Sequence, residues 1–210
     1  TAPSVDAYTS LNAPLVIRRL KETVNAQAPL AVFANLETLC RAPRAMVAAG
    51  FGDMVGKYTC LADWRLGHLL WDEPYDAAVA AEARAALEGV AAQADAIGAL
   101  QPQAVAVLMG ALCASGLAMV RVGNSSPASA SEHHLSHFWE GKLLQEGRPA
   151  LLHGAKVGVA AVLMATAYAR LRALSRQEAA ERLARRPWPS AAARSEEHTS
   201  VLQSHLCISY

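Results

Sequence analysis

The stretch Ser131-Glu132-His133-His134-Leu135-Ser136-His137 concentrates imidazoles, with His153-Gly154 downstream and Gly50-Phe51-Gly52-Asp53 far upstream. Imidazoles one helical turn apart, another His nearby in sequence and a distant carboxylate can together hold a divalent metal with one position left open for a substrate. His133 and His137, at i and i+4, share a face in any helix, so the same pattern also fits a solvated helix surface. Spacing alone leaves both readings open.

The carboxylate belongs to Gly50-Phe51-Gly52-Asp53-Met54-Val55-Gly56, which superficially resembles a dinucleotide-binding fingerprint. Its spacing is G-x-G-x-x-x-G rather than G-x-G-x-x-G, and the preceding Ala42 to Val47 reads as helix rather than strand, so the fingerprint's context is missing. Gly50 and Gly52 are instead expected to turn the backbone sharply, with Asp53 in the first turn of the helix that follows. There it either faces inward or caps that helix. Lys57, at i+4, is expected to pair with Asp53, the alternative being that it faces a substrate phosphate. Asp63-Trp64-Arg65 reads as a buried aromatic anchor flanked by an ion pair.

These residues need helices to position them. After Asn35 the chain is Ala-rich, and its texture predicts helices at about 43–70, 77–99, 103–121, 131–145, 151–173 and 176–186. Pro74, Pro102, Gly123 to Pro127 and Gly147 to Pro149 mark the breaks. Residues 1–35 differ: Pro14 to Leu20, Thr23-Val24 and Pro29 to Asn35 suggest short strands or a hairpin. The fold class is therefore mainly α, with a short β segment at the start.

With 210 residues, 53% of them hydrophobic, the chain can bury a core. Its 19 Lys plus Arg against 18 Asp plus Glu leave no overall charge to attract nucleic acid. Ala104 to Val120 is apolar but lacks aromatic belts and reads as a core helix, so no membrane insertion is expected. Cys40, Cys60, Cys113 and Cys207 are scattered, and no signal peptide is evident at Thr1-Ala2-Pro3-Ser4, which suggests a reduced, cytoplasmic protein. Residues 194–210 share nothing with the Ala-rich body. They resemble the conceptual translation of a sequencing-adapter oligonucleotide, with Val201 where that translation has Glu, and His198, His205 and Cys207 are set aside with them.

Ser4-Val5-Asp6-Ala7-Tyr8-Thr9-Ser10, Gly50-Phe51-Gly52-Asp53 with Lys57 and Asp63-Trp64, Ser125 to His137 with Phe138-Trp139-Glu140, and Leu152-His153-Gly154 with Val157-Gly158 occur in order. Together they resemble the sn-glycerol-1-phosphate dehydrogenase family, within the larger group of glycerol dehydrogenases, iron-type alcohol dehydrogenases and dehydroquinate synthase. The resemblance implies a two-domain α/β plus α enzyme. Residues 1–35 correspond to the last strands of its nucleotide-binding domain, and 36–190 to its helical metal- and substrate-binding domain. It implies Asp53, His133 and His153 as metal ligands, Asp6, Asp53 and His137 as substrate contacts, Asp53 and His137 as catalytic residues, and Ser10 as a contact to NAD or NADP. His134 matches no ligand position.

The implied reaction is reduction of dihydroxyacetone phosphate to sn-glycerol 1-phosphate, with zinc the expected metal and nickel or iron also suited to the ligand set. A homo-oligomer is compatible with it. Two departures from the family pattern are Ser126, where an Arg is usual, and Ala7, where a Gly is usual. If that Arg binds phosphate or orders the loop, Ser126 is expected to weaken the function, because bidentate phosphate recognition has no serine equivalent. Without a Gly-rich phosphate-binding loop for the cofactor, residues 1–193 are expected to turn over negligibly. The alternatives are a glycerol or other polyol dehydrogenase of the same fold, and a non-catalytic helical metal-binding or interaction domain.

Overall fold

A computed structural model describes residues 12–17, 20–25 and 29–185. Asp6, Ala7, Ser10 and the segment 194–210 lie outside the described residues. The expected hairpin is present. Strands β1 (Asn12–Ile17) and β2 (Leu20–Asn25) pair antiparallel, in register from Asn12 opposite Asn25 to Ile17 opposite Leu20. The further extended segment expected at Pro29 to Asn35 does not form a strand. Its backbone has no ladder to join, because among the described residues the sheet contains β1 and β2 alone.

The helical texture after Asn35 is realised in α1 (Leu36–Cys40), α2 (Arg44–Val55), α3 (Lys57–Trp71), α4 (Ala77–Ala91), α5 (Ala94–Gly98), α6 (Pro102–Val122), α7 (Ser131–Gln145), α8 (His153–Arg172) and α9 (Arg176–Arg185). Local chemistry sets several boundaries. Asn35 accepts from the Thr38 N–H at 2.8 Å to open α1, and Asp76 accepts from the N–H groups of Ala78 and Val79 to open α4. Pro102 occupies the first turn of α6, and Gly123, at φ +79°, ends that helix in the left-handed conformation.

Two long predicted helices are each divided. The segment 43–70 breaks at Gly56 into α2 and α3, and 77–99 breaks at Ala92-Gln93 into α4 and α5. The expected turn at Gly50 and Gly52 is absent, because both lie inside α2 and Asp53 sits in that helix's last turn. Their absent side chains serve packing instead, as the site shows.

The apolar core lies among α1, α2, α4, α5 and α6, where Val47, Met54, Leu87, Val90, Ile97, Leu108 and Leu112 are buried. A second cluster joins Leu61 and Trp64 of α3 to Val79 and Ala80 of α4 and Ala118 of α6. Two helices, Pro102–Val122 and His153–Arg172, are long and apolar enough to cross a membrane by length and composition. The first is the core helix of this bundle, with ten buried residues, as its sequence suggested. Residues 168–210 form a separate unit, of which 168–185 are described. There α9 opens with a reciprocal cap, the Glu178 N–H donating to Ser175 Oγ and the Ser175 N–H to Glu178.

Candidate metal centre

Three helices bring the candidate ligands together. Asp53 comes from the end of α2, His133 from the first turn of α7 and His153 from the start of α8. One potential ligand atom from each lies within 4.8 Å of the other two. His133 Nε2 is 3.4 Å from Asp53 Oδ1, and His153 Nε2 is 3.6 Å from the same oxygen. His137 joins them with its ring 5.9 Å from that of His153 and 6.2 Å from that of His133, centroid to centroid. His134, on the same helix, is exposed and is not among the converging ligand atoms.

The crossing of α2 and α8 is built from glycine. A Cβ on Gly154 would stand 1.9 Å from Ala49 O, and one on Gly52 would stand 2.4 Å from Gly154 O. Gly158, one turn further along α8, has its own absent Cβ 3.0 Å from Gly52 Cα. The two backbones therefore touch, which sets Asp53 beside His153. At Gly56 a Cβ would meet the Val157 side chain at 2.7 Å and Glu132 Cγ at 3.3 Å, so the junction of α2 and α3 is also where α7 and α8 converge.

The charges are arranged around a buried carboxylate. Asp53 is wholly buried, and neither of its oxygens has a hydrogen-bond partner. Burial pushes its carboxyl up, but Lys57, His133 and His153 outweigh this and hold it well below the usual carboxylate range. Lys57 Nζ lies 3.9 Å from Asp53 Oδ1 and donates to Ala128 O at 2.8 Å, so the expected pairing forms and also ties down the loop before α7. For His133, burial pulls the imidazole down, while Asp53 and Glu132 raise it above its ordinary value.

The donor set fits a divalent metal. An anionic oxygen with unused lone pairs, buried at a point where two imidazole nitrogens converge, is the chemistry such an ion satisfies, and one Asp with two His suits zinc, nickel or iron. Unpaired, the same carboxylate would be costly to bury.

Surrounding positions complete the picture. Trp64 is the buried anchor expected, with its indole N–H donating to Pro74 O at 2.9 Å and its ring 4.7 Å from that of Tyr75. Its flanking charges do not pair with each other as expected. Asp63 accepts from the Ser131 N–H at 3.0 Å at the start of α7, and the Arg65 guanidinium lies over the Tyr75 ring. Ser126 uses its backbone, its N–H donating to Asn124 and its carbonyl accepting from the Cys60 thiol.

Glu132 is the residue that sequence reasoning missed. It is fully buried and accepts from Thr59 Oγ1 at 2.8 Å, the Ala130 N–H at 2.9 Å and His133 Nδ1 at 2.7 Å. Burial pushes its carboxyl up, and these donors reverse that and lower it. A carboxylate next to a candidate ligand histidine was the available sign.

No family model matches the sequence. Curated proteins do. Over 171 residues, 81% of the chain, it is 49% identical to the glycerol-1-phosphate dehydrogenase (NAD(P)+) of Geobacillus thermodenitrificans. Over 168 residues, 80% of the chain, it is 51% identical to the enzyme of that name from Halalkalibacterium halodurans. The chain is a homologue of the glycerol-1-phosphate dehydrogenases. A protein of the same name from Methanosarcina mazei is 37% identical over 164 residues, 78% of the chain. The chain spans less than half the length of these dehydrogenases, 42%, 42% and 45% respectively. Their names give NAD(P) as the cofactor of those proteins.

Proposed function

We propose that this chain is the helical metal- and substrate-binding portion of an NAD(P)-dependent sn-glycerol-1-phosphate dehydrogenase. Residues 36–190 form that portion, and 1–35 are the end of a nucleotide-binding domain. The observation that carries the reading is the buried carboxylate of Asp53 facing His133 and His153 with its lone pairs unused. Similarity to proteins of that name supports glycerol 1-phosphate as one reactant, and dehydrogenation at its C2 hydroxyl gives the ketone, dihydroxyacetone phosphate.

Asp53, His133 and His153 would hold the metal. When bound, a divalent cation supplies Lewis-acid polarisation of a carbonyl, and reduced nicotinamide supplies hydride. Asp53 brings the negative charge that favours a cation in this buried setting, and Lys57 keeps it ionised. His137, half-buried beside both ligand rings, is placed to position the substrate or to relay the proton that its C2 oxygen needs. Asp6 would hold a substrate hydroxyl and Ser10 the cofactor. Zinc is our choice of metal. Cys40, Cys60 and Cys113 are thiols rather than disulfides, which supports a reducing, cytoplasmic setting.

The test is His153→Ala in the full-length protein. Zinc affinity is expected to fall by more than about 100-fold, beyond what loss of a supporting group around a metal site costs, and dihydroxyacetone phosphate reduction to fall with it. Unchanged metal content in the variant would overturn the ligand assignment.

A further inference from the structure

The proposed metal site gives work to Asp53, His133 and His153 but none to Glu132, although this carboxylate is as buried as Asp53. Burying it is tolerable only because its lone pairs are taken up. Thr59 Oγ1, on α3, donates to Oε2 at 2.8 Å, while Oε1 receives the Ala130 N–H at 2.9 Å and the His133 ring at 2.7 Å. Both oxygens of Glu132 are thus engaged by protein donors.

The two nitrogens of His133 face two different carboxylates. Nδ1 is 2.7 Å from Glu132 Oε1, a charge-assisted hydrogen-bond length, whereas Nε2 is 3.4 Å from Asp53 Oδ1. A neutral imidazole carries one N–H, and an ionised carboxylate accepts only. At 2.7 Å a bare nitrogen against a carboxylate oxygen would be two lone pairs in repulsion, so the proton belongs on Nδ1. The Nε2 lone pair then points to the side where Asp53 and His153 converge. Thr59 in turn holds Glu132 in the rotamer that makes this contact, because its hydroxyl anchors the opposite oxygen.

We infer that Glu132 is a positioning residue: backed by Thr59, it fixes the tautomer and orientation of His133 so that Nε2 is presented to the metal. This rests on the metal-site reading above. A carboxylate behind a ligand histidine both orients the ring and raises its basicity as a ligand, and losing it typically weakens metal binding by about 10- to 100-fold.

The experiment uses the full-length protein, with zinc as the probe. Zinc affinity is measured by competition with a chromogenic chelator, and the protonated nitrogen of His133 is read by long-range 1H–15N NMR of the imidazole. The parent is expected to show His133 protonated at Nδ1. Glu132→Gln keeps the shape and is expected to weaken zinc about 10- to 100-fold, with the melting temperature of the zinc-free protein close to the parent. Thr59→Val, the milder change if the first variant folds poorly, is expected to weaken zinc less and in the same direction.

Parent-like zinc affinity in both variants, or a proton on His133 Nε2 in the zinc-loaded parent, would overturn the role of Glu132. If the parent takes up no zinc, the metal reading fails separately. The ring NMR then still decides Glu132: a proton on Nδ1 supports it, and a ring protonated at Nε2 alone overturns it.

Discussion

Helix α2 belongs to two regions built on opposite principles. Toward α4 and α6 it offers Val47 and Met54 to a core of Leu, Val, Ile and Met. Toward α3, α7 and α8 it offers Gly52 and Asp53 to a corner that buries Lys57, Thr59, Glu132 and His133. The first region is held by apolar area removed from water, which is non-directional and tolerates exchange of one hydrocarbon for another of similar volume. The second is held by a hydrogen-bond network and by backbone contact, where a displacement of a fraction of an ångström leaves a charge unpaired. Stability should therefore reside mainly in the first region and metal chemistry in the second, and substitutions can separate them.

Gly154→Ala is the harshest test. Its new methyl would meet the Ala49 carbonyl, backbone that cannot rotate away, so a loss of about 3 kcal/mol or more is expected in urea unfolding, together with loss of zinc binding. Stability and zinc affinity close to the parent would show that the two helices do not need this closeness. Leu112→Ala, in the apolar core and 1% exposed, is expected to cost about 3 kcal/mol yet leave zinc affinity within a factor of about three. A large fall in affinity would mean the two regions are not separable.

A smaller effect of opposite sign comes from Gly110 in α6, where a Cβ would meet nothing within 4 Å. Gly110→Ala should raise stability by about 0.5–1 kcal/mol through helix propensity alone, visible as a higher melting temperature. The smallest effect concerns Asp63, at the boundary between the regions. Burial raises its carboxyl above the ordinary 3.8, against the opposing hydrogen bond from Ser131. A raised folded value means that its favourable contribution is complete below pH of about 3.9 and is lost as pH rises through the folded value. Stability of the parent relative to Asp63→Asn should accordingly decline as pH rises from about 3 towards neutrality. A difference that is flat with pH would contradict this.

The same division explains what could be read from the chain beforehand. Helix content and the core position of α6 follow from Ala-rich composition and apolar runs, which act locally or without direction. Asp53, His133 and His153 follow from motif resemblance, and Lys57 from its i, i+4 spacing. What stayed hidden depends on a partner distant in sequence. Gly52 signals a turn just as well as a close helix crossing, since either needs a missing Cβ, and only the position of Gly154 decides between them. Glu132 reads as an ordinary first-turn acid until Thr59 is seen beneath it. Asp63 was read beside its chain neighbour Arg65, but its partner is the Ser131 N–H. Pro29 to Asn35 has strand-like composition, but pairing depends on what lies alongside.

The contact between Gly52 and Gly154 has one more consequence. Where two helices meet through side chains, their separation is an average over rotamers and loosens on heating. Here main chain rests on main chain, so the spacing of the two helices that carry Asp53 and His153 is a dimension of the peptide backbone itself. The site should accordingly keep its gauge across temperatures at which ordinary side-chain contacts slacken, and fail abruptly only when the helices part.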